Sequence, residues 1–244
     1  MSGVSLRHRT AVVSGATSDI GRAVSMELAA AGARLCLLSR DPAGLELVAK
    51  RVRETADEVF FYPVDLTVDA SIRAAAARLT GDVGDVDVLV HSAGRFAMGS
   101  HDNAPVADLD LQYRTNVRGP YLLTQTLLSS LRARRGHIVF LNSTVGLEAR
   151  ARVGQYASTQ HALRAIADAL RAEVNRDGVR VLSIYLGRTA TARQARIFDL
   201  EDRSYAPHLL MQPGDVAEMV LATLCLPSTA EVTEIRMRPL AKSY

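Results

Sequence analysis

The chain has 244 residues, 48% hydrophobic and 23% charged, which is enough apolar material for one large core and too much for a disordered or collagen-like polymer. A net charge of +3 is spread over 29 basic and 26 acidic residues with no basic run or basic-aromatic platform, which argues against a nucleic-acid partner. No apolar run approaches the roughly 20 residues of a membrane span, and the first ten residues hold no uninterrupted apolar stretch, so a soluble, cytoplasmic, unexported protein with no membrane partner is expected.

Short runs rich in Val, Ile and Leu alternate with longer amphipathic stretches along the chain, the pattern of βαβ units around a parallel sheet. In order, the pattern predicts strand 10–14, helix 20–31, strand 34–39, helix 42–54, strand 58–63, helix 70–79 and strand 86–90. One long helix over 108–134, strand 137–142, helix 156–176, strand 180–186, helix 213–226 and strand 231–237 complete it. Near-continuous apolarity in the strands fits a sheet covered on both faces. Asp41 before Pro42 reads as an N-cap whose carboxylate accepts first-turn amides. The polar stretch 188–212 interrupts the alternation after a strand's carboxyl end and reads as an irregular lid. With no repeat or linker, residues 1–244 are expected to form one doubly wound α/β unit with helices on both faces. Cys36 and Cys225 sit in apolar contexts and read as core thiols of a reducing compartment; no metal site is expected.

The first strand runs directly into Ser14-Gly15-Ala16-Thr17-Ser18-Asp19-Ile20-Gly21 and then a helix. A helix N-terminus emerging from such a turn offers free N–H groups and a positive dipole to a pyrophosphate. Asp19 there reads as an N-cap or first-turn residue whose charge opposes that anion.

This turn resembles the TGxxxGxG turn of the short-chain dehydrogenase/reductase family, with Ser14 for threonine and Asp19 at the middle glycine. Further landmarks follow in order: Asp65-Leu66, His91-Ser92-Ala93-Gly94 for the NNAG segment, Asn116, Ser143 27 positions later and Tyr156 another 13 on. The resemblance spans residues 8–240 and implies a Rossmann fold binding a nicotinamide dinucleotide. By that resemblance the cofactor meets Ser14, Gly15, Thr17, Ser18, Asp19, Ile20 and Gly21 in the turn. Asp65, Leu66, Ala93 and Gly94 follow the middle strands, Tyr156 and Gln160 flank the nicotinamide, and Gly187, Thr189 and Thr191 lie in the PGxxxT-like segment. At the tip of the second strand Ser39 and Arg40 stand where an acid would favour NAD, and a hydroxyl with a guanidinium fork suits a 2′-phosphate, hence NADP(H).

The resemblance also implies that Tyr156 exchanges a proton with a carbonyl or alcohol oxygen, that Ser143 holds that oxygen and that Asn116 anchors a water chain. A phenol and a hydroxyl together can stabilise a developing oxyanion. The family's YxxxK lysine is absent: position 160 is Gln160. A cation 4–5 Å from the phenol would favour phenolate by roughly 3–4 kcal/mol, about 2–3 pK units. Without it Tyr156 is expected near its ordinary pKa of about 10, a state that handicaps oxidation more than reduction. The leading expectation is therefore an NADP(H)-dependent reductase with an atypical proton relay. The alternatives are non-redox acid/base chemistry on the same scaffold (cyclisation, dehydration or isomerisation) and a non-catalytic NADP(H)-binding protein.

Phe96, Met98, Leu147, Val153, Phe198 and Tyr205 are expected around the mouth of the site and suggest an apolar or ring-bearing carbonyl compound. Arg188, Arg193 and Arg196 read either as exposed lid arginines or as anion contacts. The helical stretches 108–134 and 156–176 resemble those through which family members pair, so a homodimer or homotetramer is expected.

Overall fold

Alternate side chains of a strand leave on opposite faces, and in this computed structural model that alternation builds two cores. Ala11, Val13, Leu35 and Leu37 point into one, while Val12, Cys36 and Leu38 point into the other. The structure describes residues 5–56 and 58–241. Its strands are β1 (Thr10–Ser14), β2 (Arg34–Ser39), β3 (Val59–Pro63), β4 (Val88–His91), β5 (His137–Ser143), β6 (Arg180–Leu186) and β7 (Glu234–Met237). They form one parallel sheet in the order β3-β2-β1-β4-β5-β6-β7.

On one face lie α1 (Asp19–Ala30), α2 (Pro42–Val52) and α8 (Pro213–Leu224), whose Val24, Leu28, Leu45, Val48, Val216 and Val220 close the first core. On the other, α3 (Asp69–Val83), α5 (Gly119–Ala133) and α6 (Gly154–Val174) contribute Ile72, Leu79, Leu123, Leu127, Leu163 and Ala167 to the second. Each fully buried Leu, Ile or Val removes about 1.5–3 kcal/mol of apolar exposure. Buried Cys36 has its thiol pushed up to about 12 by desolvation, as suits a core position, whereas Cys225 is half-buried at the core margin. Among the described residues no helix is long and apolar enough to cross a membrane.

Three local expectations are corrected. The long helix divides into α4 (Val106–Tyr113), a π-turn at Arg114–Arg118 and α5. Pro120, in the first turn of α5, has no N–H to continue a regular ladder, and the wider turn absorbs the mismatch. The lid is not wholly irregular, because α7 (Ala192–Leu200) crosses it. Its sequence is mostly polar, but Phe198 is buried and meets the Tyr205 ring edge-on at 5.5 Å, and the Thr191 hydroxyl caps Gln194 N–H at 3.0 Å. Asp41 does occupy the N-cap of α2, yet its carboxylate bonds none of the helix amides.

β1 pairs with β2 on one side and β4 on the other, so the chain's winding reverses there. In open α/β sheets ligands bind in the crevice beyond the strand carboxyl ends at such a switch point.

Candidate active site

The turn from β1 into α1 is shaped by two glycines. Gly15 has φ +68°, and a Cβ on it would come within 2.6 Å of the Ala93 backbone; one on Gly21 would lie 2.2 Å from Gly15 O. The turn is thereby pressed against the segment after β4. Ser18, not Asp19, caps α1, its Oγ accepting from Gly21 N–H at 3.1 Å. Asp19 is the first residue of α1, and its carboxylate reaches across the crevice to accept from the N–H of Ala192 at 2.8 Å, while Arg22 donates to its other oxygen at 3.0 Å. An acid at a glycine's place in the turn thus ties the turn to the lid helix.

At the far end, Thr17 Oγ1 and Ser39 Oγ share a hydrogen bond of 2.7 Å. Asp65 accepts from both the N–H and the hydroxyl of Thr67 at 2.9 and 2.8 Å. Burial acts to raise its pKa, but these bonds and the nearby Arg40 charge hold it below the usual carboxylate value. Arg40 itself is exposed.

Asn116 lies within the π-turn, where it is buried with its amide fully engaged. Its Oδ1 accepts from Arg95 N–H at 2.7 Å, and its Nδ2 donates to Arg95 O at 2.8 Å and Thr159 Oγ1 at 3.1 Å. It therefore clasps the β4 exit to α6. Ser143 ends β5; its N–H bonds Asn142 Oδ1 at 2.6 Å, and Asn142 Nδ2 donates to Gln160 O at 3.1 Å. These bonds fix Ser143 beside the first turns of α6, where it lines the same cleft as Tyr156. Phe96 meets the Tyr156 ring edge-on at 5.0 Å. Burial pushes the Tyr156 pKa above its ordinary value, opposed by the Arg193 charge and the nearby Ser143 hydroxyl. The expectation of an unshifted phenol thus gives way to a raised one, because desolvation disfavours the anion. Gln160, one turn along, is buried, and its Nε2 donates to Thr159 Oγ1 at 3.3 Å.

These groups meet in one cleft of about 580 Å³, within the range of small-molecule sites. Its lining includes Thr17, Ser18, Asp19 and Ile20 of the α1 turn, Ala93 and Gly94 after β4, and Gly187, Thr189 and Thr191 after β6. Asn116, Ser143, Tyr156 and Gln160 line the same cleft. Ser14, Gly15, Gly21 and Leu66 do not face the cleft; Ser14 and Leu66 are buried behind it, and the two glycines shape the turn. Ser39, Arg40 and Asp65 sit at the tips of β2 and β3, outside the cleft wall.

On the substrate side Phe96, Met98 and Val153 line the cleft, whereas Leu147, Phe198 and Tyr205 do not. Phe198 packs inside the lid beneath Arg188, whose guanidinium lies 4.6 Å from the ring centre and pairs with Glu201 at 2.7 Å. Arg188 is therefore a lid strut. Three participants went unassigned in the sequence: His91 at the cleft wall, stacked on Phe140 at 4.8 Å; Thr159, which joins Asn116 to Gln160; and Gln112, whose Oε1 accepts from Ala97 N–H at 3.0 Å. His91 carried a signal as the first residue of the NNAG-like segment; the other two carried none.

Residues 9–202 match the family model described as short chain dehydrogenase. Over 240 residues the chain is 31% identical to an uncharacterized oxidoreductase of Staphylococcus aureus strain MW2, covering 96% of this chain and 99% of that one. An alcohol dehydrogenase from the archaeon Thermococcus sibiricus, complexed with 5-hydroxy-NADP, superposes with a TM-score of 0.86 at 26% identity, covering 97% of this chain and 99% of the other. A metagenomic short-chain oxidoreductase in complex with NADP gives 0.84 at 26% identity, covering 99% and 100%. With the family model matched over most of its length and a relative aligned nearly end to end, the chain belongs to the short-chain dehydrogenase family.

Proposed function

We propose that this protein is an NADP(H)-dependent oxidoreductase that reduces the carbonyl of an apolar or ring-bearing small molecule. The observation that carries the reading is the convergence of Ser143, Tyr156 and Asn116 on the cleft that also holds the N-terminal turn of α1. The residues fit such a cofactor. The α1 turn offers amides and a helix dipole to a diphosphate, the Gly94 and Gly187 backbones border the space where a ring would lie, and Ser39 and Arg40 extend from it toward a 2′-phosphate. The NADP-bound state of two solved relatives points the same way.

When bound, the reduced nicotinamide supplies hydride to the carbonyl carbon. The chain's own groups handle the oxygen: Ser143 Oγ donates a hydrogen bond to it, and Tyr156 Oη gives it a proton. A phenol kept protonated by burial suits the acid role in reduction and disfavours the base role in oxidation. Asn116 positions Tyr156 by locking the β4 exit to α6, while Asn142 holds Ser143. Phe96, Met98 and Val153 supply an apolar wall for the substrate's body. The exposed Val106, Tyr113 and Tyr121 on α4 and α5 support pairing with a second copy through this face.

The test is NADPH consumption at 340 nm with a panel of aliphatic and cyclic ketones and aldehydes, for the parent and Tyr156→Phe. Turnover in the parent and its loss in the variant are expected. A substrate transformed with no change in nicotinamide oxidation state would replace this reading with non-redox chemistry.

A further inference from the structure

No side chain of α6 brings a cation to the Tyr156 phenol, since the group one turn along is the neutral amide of Gln160, buried and bonded to Thr159. The lid does bring one. Thr191 caps α7, and the Asp19 carboxylate holds the N–H of Ala192, fixing the helix start above the cleft. The next residue, Arg193, extends its guanidinium into the cleft and donates through Nη2 to the carbonyl of Gly94. A Cβ placed on Gly94 would lie 3.6 Å from Arg193 Nη1 and 3.7 Å from Asn116 Oδ1. The Arg193 guanidinium and the Asn116 amide therefore both border the space at Gly94, and Arg193 lines the cleft together with Ser143 and Tyr156.

We infer that Arg193 is the cation of this active site, carried by the lid helix instead of α6 and acting on the Tyr156 phenol across the cleft. The inference rests on the reductase reading above. In the proton step, the Tyr156 O–H bond breaks and a new O–H bond forms on the substrate oxygen as its carbon takes hydride from reduced nicotinamide. The phenolate left behind is the species a nearby positive charge stabilises, and it regains its proton from solvent.

The surrounding charges leave this role to Arg193. Arg188 is paired with Glu201, and Asp19 with Arg22 and the Ala192 amide. Arg150, Arg152 and Arg196 line the rim exposed to solvent, and His91 on the wall is neutral because burial depresses its pKa to about 3. Arg193 lines the same cleft as the phenol, and its charge acts in the direction that favours ionisation. A guanidinium also stays charged throughout the working pH range, where an ammonium near a cofactor can titrate.

The experiment follows Tyr156 directly, by NMR of protein labelled with 13Cζ-tyrosine, the signal assigned through Tyr156→Phe. Arg193→Met should move the Tyr156 titration to higher pH, Arg193→Lys should keep it near the parent's, and Arg196→Met, one turn along the lid, should leave it unmoved. In parallel, alcohol oxidation at pH 7 should fall about tenfold for every pH unit of that displacement in Arg193→Met and recover in Arg193→Met/Gln160→Lys. A parent-like titration in Arg193→Met overturns the inference, as does an equal displacement by Met and Lys, which would mark a packing effect. Absence of NADPH-dependent reduction in the parent overturns the reductase reading instead, since the titration is read without turnover.

Discussion

Two buried histidines make this protein acid-sensitive in a way that one substitution should halve. His91 is 2% exposed, shares a 2.8 Å hydrogen bond between Nε2 and Thr124 Oγ1, and leaves Nδ1 without a partner among the described residues. Protonating Nδ1 would place an unpaired charge against Phe140, and desolvation lowers the pKa to about 3. His137, 7% exposed at the start of β5, is lowered to about 4 by burial and by the charges of Arg180 and Arg9. Both titrate near 6.5 in the unfolded chain. Between pH 6.5 and the folded values the unfolded state binds the extra protons, so stability is full above 6.5 and is lost as pH falls. At pH 4.5, two units below the unfolded value, each histidine costs about 2.6 kcal/mol, and the pair about 5. That is comparable with the whole stability of a typical domain, about 5–15 kcal/mol. His91→Gln carries an amide out to about the place of Nε2, able to bond Thr124, and removes the titrating ring. Urea denaturation from pH 7.5 to 4.5 should give curves for parent and variant that converge by about 2.6 kcal/mol at the acid end, the parent losing more. Carboxylate contributions are common to both proteins and cancel in the difference. Parallel curves would show that His91 takes up its proton in the folded state and refute the reasoning.

Arg40→Asp should remove the preference for NADPH over NADH, with NADPH affinity falling at least about tenfold, as expected for a lost charge-assisted bond; equal titrated affinities in the parent would remove the premise. Asp19→Gly takes a negative charge from the diphosphate end and frees the Ala192 amide, so both cofactors should bind about two- to fivefold more tightly. A gain confined to one of them would place Asp19 elsewhere in the energetics. Gly15→Ala puts a methyl on a residue at φ +68° and 2.6 Å from the Ala93 backbone, so melting temperature and cofactor binding should fall together; an unchanged melt would mean that the turn has room. In sedimentation at micromolar concentration the parent should run at two or four times its monomer mass, and Tyr121→Glu, placing a charge on an exposed face of α5, should shift it toward monomer. A monomeric parent would contradict pairing.

Much of the layout is written locally. Strands that are apolar along their length can only be buried on both faces, and the amphipathic stretches between them supply the covers, so seven strands and a doubly wound sheet were legible from the pattern. The bounds that moved, such as β3 opening at Val59 and β7 at Glu234, depend on where a neighbouring strand ends, and no local pattern contains that. The split of the long helix at Arg114–Arg118 and the formation of α7 were missed for different reasons. The first is a change of hydrogen-bond period within residues that all favour helix, and the second is a short polar segment whose one deep anchor, Phe198, finds its partners across the lid.

The chemical vocabulary of the site belonged to the sequence: a glycine turn after the first strand, Ser143, Tyr156 and Asn116 in order, and a glutamine at 160. Folding decided how those groups act on one another. Asp19 and Ala192 are 173 positions apart, and only the closed crevice joins them at 2.8 Å. Burial raises the Tyr156 pKa, an outcome set by the desolvation of the phenol within the folded site. In the sequence Arg193 stood only as one of three lid arginines beside Arg188 and Arg196, until folding brought its guanidinium into the cleft onto the Gly94 carbonyl. Identity is a property of single residues and can be read in one dimension, whereas electric field, solvation and reach depend on distances that exist only once the chain has closed on itself.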